Sequence, residues 1–322
     1  MPSLDASSAT LEEQLLRGDR RALSRLLTEV EASSRRGLEA MKVLYPHTGR
    51  AQTIGITGSP GSGKSTVTNE LAKEYRRRDK SVGIVAIDPS SPFTEGAILG
   101  DRVRMQELTG DTGIFLRSLA SRGSLGGLSE GTMDVILAMD AFGKDVILIE
   151  TVGAGQDEVE IAGTAKTTIL VNTPGMGDDI QAMKAGIMEI ADVLAVNKAD
   201  QPGADILVSQ LSTLLSLAPK LDWEPPILKV IATEGDGIPV LADACDQHFA
   251  HLHTSGLIEE SERDRSRRQI LNLARRQLLA RLMEHSGGED RLTQLVNAVA
   301  DREIDPHSAV AEWLRDASTS ST

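Results

Sequence analysis

Cysteine is nearly absent from this 322-residue chain. The single thiol, at Cys245, excludes an internal disulfide framework and a paired-cysteine metal or redox site, so we expect a small buried side chain there. Long apolar runs are missing too, because no stretch reaches the roughly 18 residues that a membrane span needs. The amino terminus also lacks a basic leader followed by an apolar segment. These absences predict a globular cytoplasmic protein that does not bind a membrane.

Positive charge is scarce. The chain has 34 Lys and Arg against 47 Asp and Glu, a formal net charge of -13. A sequence-independent grip on nucleic acid needs clustered basic residues that release counterions, so this composition argues against a nucleic-acid partner. Arginine is concentrated in residues 263–276, but apolar residues recur there at helical spacing, and we interpret the stretch as a solvated helix face.

Short β-rich apolar runs recur along the middle of the chain, separated by helical or loop-like stretches. This alternation is typical of βα units and predicts one α/β domain at residues 50–255 with a mostly parallel sheet. The predicted strands are residues 53–57, 82–88, 114–117, 146–150, 168–172, 193–197 and 227–231.

The two flanks of this domain show helical rather than strand patterns. Residues 1–49 form a predicted N-terminal helical extension, in which Thr10 and Glu13 make a capping box and leucines at helical spacing predict two short helices. Residues 256–322 form a predicted C-terminal helical extension. Such extensions either pack on their own domain or join another chain. The apolar stripe of the second one comprises Ile270, Ala274, Leu278 and Leu282.

The strongest local signal is a phosphate-binding loop that fits G-x-x-x-x-G-K-[ST] between a predicted strand and a predicted helix. Glycines let successive backbone N–H groups point at phosphate oxygens, and the helix that follows adds the positive end of its dipole. Its lysine would reach the β- and γ-phosphates, and its last hydroxyl would bind Mg²⁺. The loop and the start of its helix comprise Gly58, Ser59, Pro60, Gly61, Ser62, Gly63, Lys64, Ser65 and Thr66.

Two acidic residues end neighbouring predicted strands, where an octahedral Mg²⁺ would need oxygen ligands. Asp88 ends one run and is interpreted as a metal or water-positioning carboxylate. Glu150 ends another and is interpreted as the Walker-B acid of a switch whose Gly153 can sense the γ-phosphate. Either acid alone would also fit a residue that caps a turn.

The identity of the base is indicated by Asn197, Lys198 and Asp200, which form an N-K-x-D box after an apolar strand. A carboxylate at Asp200 can accept hydrogen bonds from both N1–H and the 2-amino group of guanine, whereas adenine has no donor at N1. Charge-assisted hydrogen bonds contribute about 1.5–3 kcal/mol each, so GTP should be preferred over ATP by orders of magnitude. Lys198 would lie over the ring, and Asn197 would tie loops together.

The combination ITGSPGSGKST, AIDPSSP, GAILGDRVRM, IETVGAGQDE, TPGMGDD and AVNKAD resembles the MeaB/ArgK group of P-loop GTPases. These SIMIBI-type proteins are chaperones of adenosylcobalamin-dependent acyl-CoA mutases. The resemblance covers roughly residues 10–285. It implies a P-loop GTPase domain with a mostly parallel sheet and helical N- and C-terminal extensions.

The resemblance also implies roles for individual positions. Residues 88–104 match the first switch of the family, residues 150–158 its second, and residues 175–184 the further switch that communicates with the mutase. The implied magnesium site comprises Ser65, Asp88, Asp101 and Glu150. The predicted catalytic set comprises Lys64, Asp88, Glu150, Asp178 and Lys184.

The resemblance further implies cofactors and partners. The cofactor is Mg²⁺ with GTP or GDP, while adenosylcobalamin belongs to the partner mutase; an adenosyltransferase is a second candidate partner, and the chain is expected to be a homodimer.

No glutamine directly follows Gly153, Gln156 lies three residues later, and no arginine finger is assigned. Intrinsic hydrolysis is therefore expected to be slow and stimulated by the partner.

One departure from the family pattern lies in the loop that meets the guanine carbonyl. The family commonly has a Ser-Gly pair there, where this chain has Ala232, Thr233 and Glu234, so backbone N–H groups would make the contacts.

A metallochaperone GTPase for another metalloenzyme is the alternative function, although a lone cysteine and scattered histidines offer it no metal carrier. A small-molecule kinase is a third reading, but it has no use for a guanine box.

Overall fold

The computed structural model describes residues 9–89, 108, 110–121, 130–151, 161, 163–175, 190–217, 222–285 and 287–319. The chain divides into two compact units, Met1–Gly256 and Leu257–Thr322. Among the described helices, none is long and apolar enough to cross a membrane.

The first unit is built on a seven-stranded sheet in the order β3-β2-β4-β1-β5-β6-β7. Every pairing between its strands is parallel. The predicted mostly parallel α/β fold is therefore confirmed, with β3 four residues longer than predicted. The strands are β1 Gln52–Thr57, β2 Val82–Pro89, β3 Ile114–Ser121, β4 Val146–Glu150, β5 Thr167–Asn172, β6 Val193–Asn197 and β7 Ile227–Val230.

Helices cover both faces of the sheet, which explains why its strands are apolar runs rather than alternating patterns. One face packs against α4 (Lys64–Arg77) and α7 (Ile238–Thr254), whose Leu71 and Leu241 share a core with strand residues. The other face packs against α5 (Glu130–Ala141). Helix α6 (Ala204–Leu217) packs its buried side chains against β6.

The two helices that the leucine pattern predicts in the N-terminal extension are both present, and the described residues there contain a third helix that was not predicted. They are α1 (Leu11–Leu16), α2 (Arg20–Glu31) and α3 (Arg35–Leu44). Capping side chains set the starts of two of them, because Asp19 caps α2 and Ser34 caps α3. The predicted capping box of Thr10 and Glu13 is present at α1.

Polar contacts attach this extension to the sheet. The Asp140 carboxylate at the end of α5 is buried and accepts hydrogen bonds from the backbone N–H groups of Gly49 (2.6 Å), Arg50 (3.2 Å) and Ala51 (3.0 Å). Arg20 donates to the carbonyl of Ile114 at 2.8 Å, at the start of edge strand β3. The entry into β1 is thus held by a carboxylate about ninety residues away in sequence.

The second unit consists of α8 (Leu257–His285), α9 (Gly288–Ala300) and α10 (Pro306–Thr319). Leu295, Ala309 and Trp313 form its small core, and Arg291 on α9 pairs with Glu312 on α10 at 2.6 Å. On α8 the predicted stripe is helical, but its Ile270 and Leu278 are 64% and 60% exposed. Leu282, at the end of the stripe, packs instead against the core of this unit.

A buried polar cluster lies at the opposite edge of the sheet from the strand ends that carry the predicted site. His248 Nε2 lies 3.3 Å from Asp192 Oδ1, and His248 Nδ1 lies 3.0 Å from the hydroxyl of Thr167. The indole of Trp223 stacks 5.0 Å from the His248 ring and donates to the Asp192 carbonyl. Burial raises the pKa of Asp192 to about 7, opposed by the Thr168 N–H. Burial, then the nearby His251, lowers the pKa of His248 to about 4.

Replacing Asp140 with alanine should destabilise the first unit. The substitution leaves the buried N–H of Ala51 and the partly buried N–H groups of Gly49 and Arg50 without their charged acceptor, which we expect to cost about 1–3 kcal/mol. Urea unfolding monitored by Trp223 fluorescence in a Trp313→Phe background measures the loss. Asp222→Ala, at an exposed carboxylate, should cost less than about 0.5 kcal/mol. Equal effects of the two substitutions would contradict the proposed attachment.

Asp192→Asn should change how stability depends on pH. Because the folded pKa of Asp192 is raised, its contribution to stability is complete below the unfolded pKa and is lost as pH rises through about 7. His248 has a depressed folded pKa, so its contribution falls as pH falls from about 6.5 towards about 4. The two trends offset each other in the wild type between these values.

In the Asp192→Asn variant only the histidine trend remains, so acidification from pH 6.5 to 4.5 should lower its free energy of unfolding by up to about 1 kcal/mol per pH unit relative to the wild type. Urea titrations at several pH values measure this difference, with Asp205→Asn as the exposed control. Parallel pH profiles for the wild type and Asp192→Asn would exclude the assignment.

Candidate functional site

The predicted site residues that the structure describes lie at the carboxyl edge of the sheet, where the loops that follow parallel strands come together. Strand β1 leads into the phosphate loop, and its neighbour β4 ends with Glu150. Strand β2 lies beyond β4 and carries Asp88 near its end. Strand β6 ends with Asn197. The sheet order brings these strand ends to one edge.

The phosphate loop depends on close approaches that only glycine permits. Gly58 has φ +140°, and a β-carbon there would lie 2.2 Å from the carbonyl oxygen of Val171 on β5. Gly63 has φ +91°, and a β-carbon there would lie 2.3 Å from Asn197 Nδ2. The loop thus sits directly on the ends of β5 and β6, in contact with both.

Lys64 and Ser65 begin helix α4 and point back into the site. Lys64 Nζ is buried and donates to the carbonyls of Gly58 (2.8 Å) and Ser59 (3.1 Å). These contacts hold the ammonium group inside the curl of the loop, the place where phosphate oxygens would be bound. Thr66 follows in the first turn of the helix and is half-buried.

The residues that would hold magnesium are partly described. The Ser65 hydroxyl donates to Oε1 of the buried Glu150, so two hard oxygen ligands lie together at the start of α4. This donor set fits Mg²⁺, which prefers one or two protein oxygens together with phosphates and water. Asp88 lies near the end of β2, two residues beyond the position paired with Glu150. Its side chain and the whole of Asp101 lie outside the described part. Over the described ranges, no three His, Cys, Asp or Glu side chains gather in a metal-binding group.

Asn197 ties the phosphate loop to the base-reading loops. Its Nδ2 donates to the carbonyl of Ser62 at 2.8 Å, and its Oδ1 accepts the N–H of Ala232 at 3.2 Å. Lys198, at φ +56°, donates from Nζ to the carbonyl of Gly61 at 3.0 Å. Both side chains therefore bridge segments that are far apart in sequence.

Three other predicted base-contacting residues are exposed beside these bridges. Asp200 follows Lys198 in the turn after β6, and Thr233 and Glu234 lie in the turn after β7. This second turn is closed by the Ile231 N–H, which donates to the Asp236 carbonyl at 3.0 Å. The Ala232 N–H is already bonded to Asn197, so the Thr233 N–H is the next candidate donor for a base carbonyl.

Several predicted residues cannot be located. Gly153, Asp178 and Lys184 lie outside the described residues, as do most of the three predicted switch segments. Sequence reasoning in turn missed Thr57, Thr151 and Asn172, buried polar residues at the ends of β1, β4 and β5. A polar residue that ends an apolar strand is the signal that would have identified them.

Known proteins resemble this chain over most of its length. The family model described as "Methylmalonyl Co-A mutase-associated GTPase MeaB" matches residues 23–287. A putative GTPase of Pyrococcus abyssi is 45% identical over 310 residues, covering 95% of each chain. GTPase ArgK of Escherichia coli is 31% identical over 318 residues, covering 95% of this chain and 96% of that protein. The mitochondrial methylmalonic aciduria type A homolog of Caenorhabditis elegans is 29% identical, covering 97% of this chain and 83% of that protein.

A solved structure shares the fold as well. The crystal structure of a LAO/AO transport system kinase superposes with a TM-score of 0.74 and 23% identity, covering 98% of this chain and 99% of that one. At this identity the likeness concerns the fold alone. The matched family model, the named GTPase relatives and the phosphate loop built on β1 and α4 agree, and the chain belongs to the MeaB family of P-loop GTPases.

Proposed function

We propose that this GTPase is a chaperone of an adenosylcobalamin-dependent acyl-CoA mutase of the methylmalonyl-CoA mutase type, gating cofactor loading and protecting or reactivating the enzyme. The matched family is described by its association with methylmalonyl-CoA mutase, and the Caenorhabditis elegans relative is named for methylmalonic aciduria. The observation that carries the nucleotide part of the proposal is the Asn197 side chain, which joins the phosphate loop to the base-reading loop.

The phosphate end of the site supports hydrolysis through positioning and charge. Lys64 would exchange the carbonyls of Gly58 and Ser59 for phosphate oxygens and so neutralise charge that develops on them. Ser65 and Glu150 would hold Mg²⁺, together with Asp88 and Asp101. An ion held there would supply positive charge that offsets the charge developing on the phosphate groups. Gly153 would report the γ-phosphate to the second switch.

Guanine would be selected by Asp200, whose carboxylate is exposed next to the two bridging residues. Lys198 connects this turn to the phosphate loop through its hydrogen bond to the Gly61 carbonyl. In the loop at Ala232, Thr233 and Glu234, a base carbonyl would be met by the Thr233 N–H, because the other two N–H groups are bonded to Asn197 and to the Ile231 carbonyl. The energy of two charge-assisted hydrogen bonds would then separate GTP from ATP.

Regulation would come from the partner. The domain is assigned to residues 50–255, with helical extensions at 1–49 and 256–322, and the second extension would serve as a homodimerisation arm. Its exposed Ile270 and Leu278 on α8 support this assignment, because apolar side chains on a solvated helix favour association. Asp178 and Lys184 would carry the signal of the mutase to the nucleotide, and an adenosyltransferase would be a further partner.

Asp200→Asn should exchange guanine preference for xanthine preference. An amide donates where the carboxylate accepted, so GTP should bind about 100-fold or more weakly, while xanthosine triphosphate, with a carbonyl at position 2, should gain affinity. Isothermal titration with both nucleotides measures the exchange, and Asp205→Asn in the following helix serves as the matched control. Unchanged GTP affinity, or tight ATP binding by the wild type, would contradict the assigned role of Asp200.

Lys184→Ala should lose stimulation by the mutase. We expect hydrolysis in the presence of an adenosylcobalamin-dependent acyl-CoA mutase to exceed hydrolysis without it, and this ratio should fall by about tenfold or more in the variant. Phosphate release is measured with methylmalonyl-, ethylmalonyl-, isobutyryl- and hydroxyisobutyryl-CoA mutases in turn. Lys42→Ala, on an exposed face of α3, should keep the wild-type ratio. Absence of stimulation by all four enzymes would exclude the proposed partner class.

A further inference from the structure

A row of buried polar side chains crosses three adjacent strand ends of the sheet. Thr151 after β4, Thr57 at the end of β1 and Asn172 at the end of β5 are 1%, 0% and 3% exposed. They lie on the face away from α4, because Glu150 and Ile56 next to them contact or pack towards that helix. Two residues earlier on the same face, these strands carry Ile149, Gly55 and Leu170. Apolar side chains at the strand ends would therefore have matched the residues that precede them.

The hydrogen bonds in this row are long, and one acceptor has none. The Thr151 hydroxyl lies 3.3 Å from the Thr57 hydroxyl and 3.5 Å from the Ile56 carbonyl, beyond the usual 2.7–2.8 Å of O–H···O contacts. Asn172 Nδ2 donates to the Leu170 carbonyl at 3.2 Å, while its buried Oδ1 has no hydrogen-bond partner. Rotating the amide by 180° would not help, because it would set its oxygen against that carbonyl.

A buried amide oxygen without a donor is destabilising, and such groups in folded proteins call for an explanation. The Thr57 hydroxyl is the candidate donor. Thr57 is paired in register with Leu170 across β1 and β5, and the Asn172 side chain bends back to the Leu170 carbonyl, which brings it towards the level of Thr57. A complete chain would run from Thr151 to Thr57 and from Thr57 to Asn172.

The phosphate loop adjoins both residues of the absent hydrogen bond, Thr57 and Asn172. Thr57 directly precedes Gly58, whose carbonyl receives the Lys64 ammonium group. Gly58 also lies close to Val171, the residue before Asn172, since a β-carbon at Gly58 would be 2.2 Å from the Val171 carbonyl oxygen. When Lys64 turns to phosphate oxygens, the Gly58 carbonyl loses its donor, and the junction of β1 with β5 is where the loop would readjust.

We propose that Asn172 is a positioning residue for nucleotide binding: its amide oxygen accepts the Thr57 hydroxyl when the phosphate loop holds a nucleotide, and this bond fastens the start of the loop to β5. The bond joins described residues only and adds to the phosphate contacts of Lys64 and Ser65. It does not depend on which partner the GTPase serves.

The test compares stability with nucleotide affinity in the full chain. Asn172→Leu replaces the amide with an apolar side chain of similar size. Because the unpaired amide oxygen is removed, the free energy of unfolding without nucleotide should be unchanged or higher. The same variant should weaken GTP and GDP binding by about three- to tenfold, the worth of one hydrogen bond. Thr57→Val should weaken binding similarly, and Thr57→Ser, which keeps the hydroxyl, should restore it.

The double variant decides between coupling and coincidence. If the two residues share one bond, Asn172→Leu combined with Thr57→Val should cost no more nucleotide affinity than either change alone. Thr53→Val is the matched control on the same strand and face; its hydroxyl accepts the Lys166 N–H at 2.8 Å, so it should lower stability without changing nucleotide affinity. Additive losses, or lower stability with unchanged affinity in Asn172→Leu, would overturn the proposal.

Discussion

The organisation of the site depends on one amide side chain, that of Asn197. Its two ends are bonded to the phosphate loop at Ser62 and to the loop after β7 at Ala232. A site that binds the phosphates with one loop and the base with another needs the two loops at a fixed distance. Surface loops are more mobile than the strands they follow, so a contact that joins the two loops fixes this distance. Burial of this amide, at 3% exposure, makes the bridge strong, because an unpaired amide there would be costly.

The parallel sheet supplies the second constraint. Because all seven strands of the described sheet run the same way, their carboxyl ends meet at one edge, and the order of the strands decides which loops become neighbours. Placing β1 between β4 and β5 sets the phosphate loop between the acid of one strand and the backbone of the other. This arrangement requires glycine at position 58, because the residue approaches Val171 too closely for any side chain.

Features carried by contiguous motifs could be predicted from the sequence, whereas those that depend on a single capping residue, on strand order or on helix packing could not. The phosphate loop and the N-K-x-D box are contiguous and carry their own chemistry, so their positions at strand ends followed from apolar runs alone. The third N-terminal helix, α3, was not predicted, because its start depends on Ser34, a single capping residue within a polar stretch. The attachment at Asp140 and the row at Thr57 and Asn172 join residues whose proximity only strand order and helix packing determine.

Buried polar groups lie at both edges of the sheet. At the amino edge, Asp192 accepts the Thr168 N–H and lies 3.3 Å from His248 Nε2, while Nε2 of the nearby His251 has no hydrogen-bond partner. At the carboxyl edge, Ser62 Oγ and Asn172 Oδ1 are buried without a hydrogen-bond partner. Uncompensated groups raise the free energy of the protein alone, and any ligand that lets them pair recovers that energy as affinity.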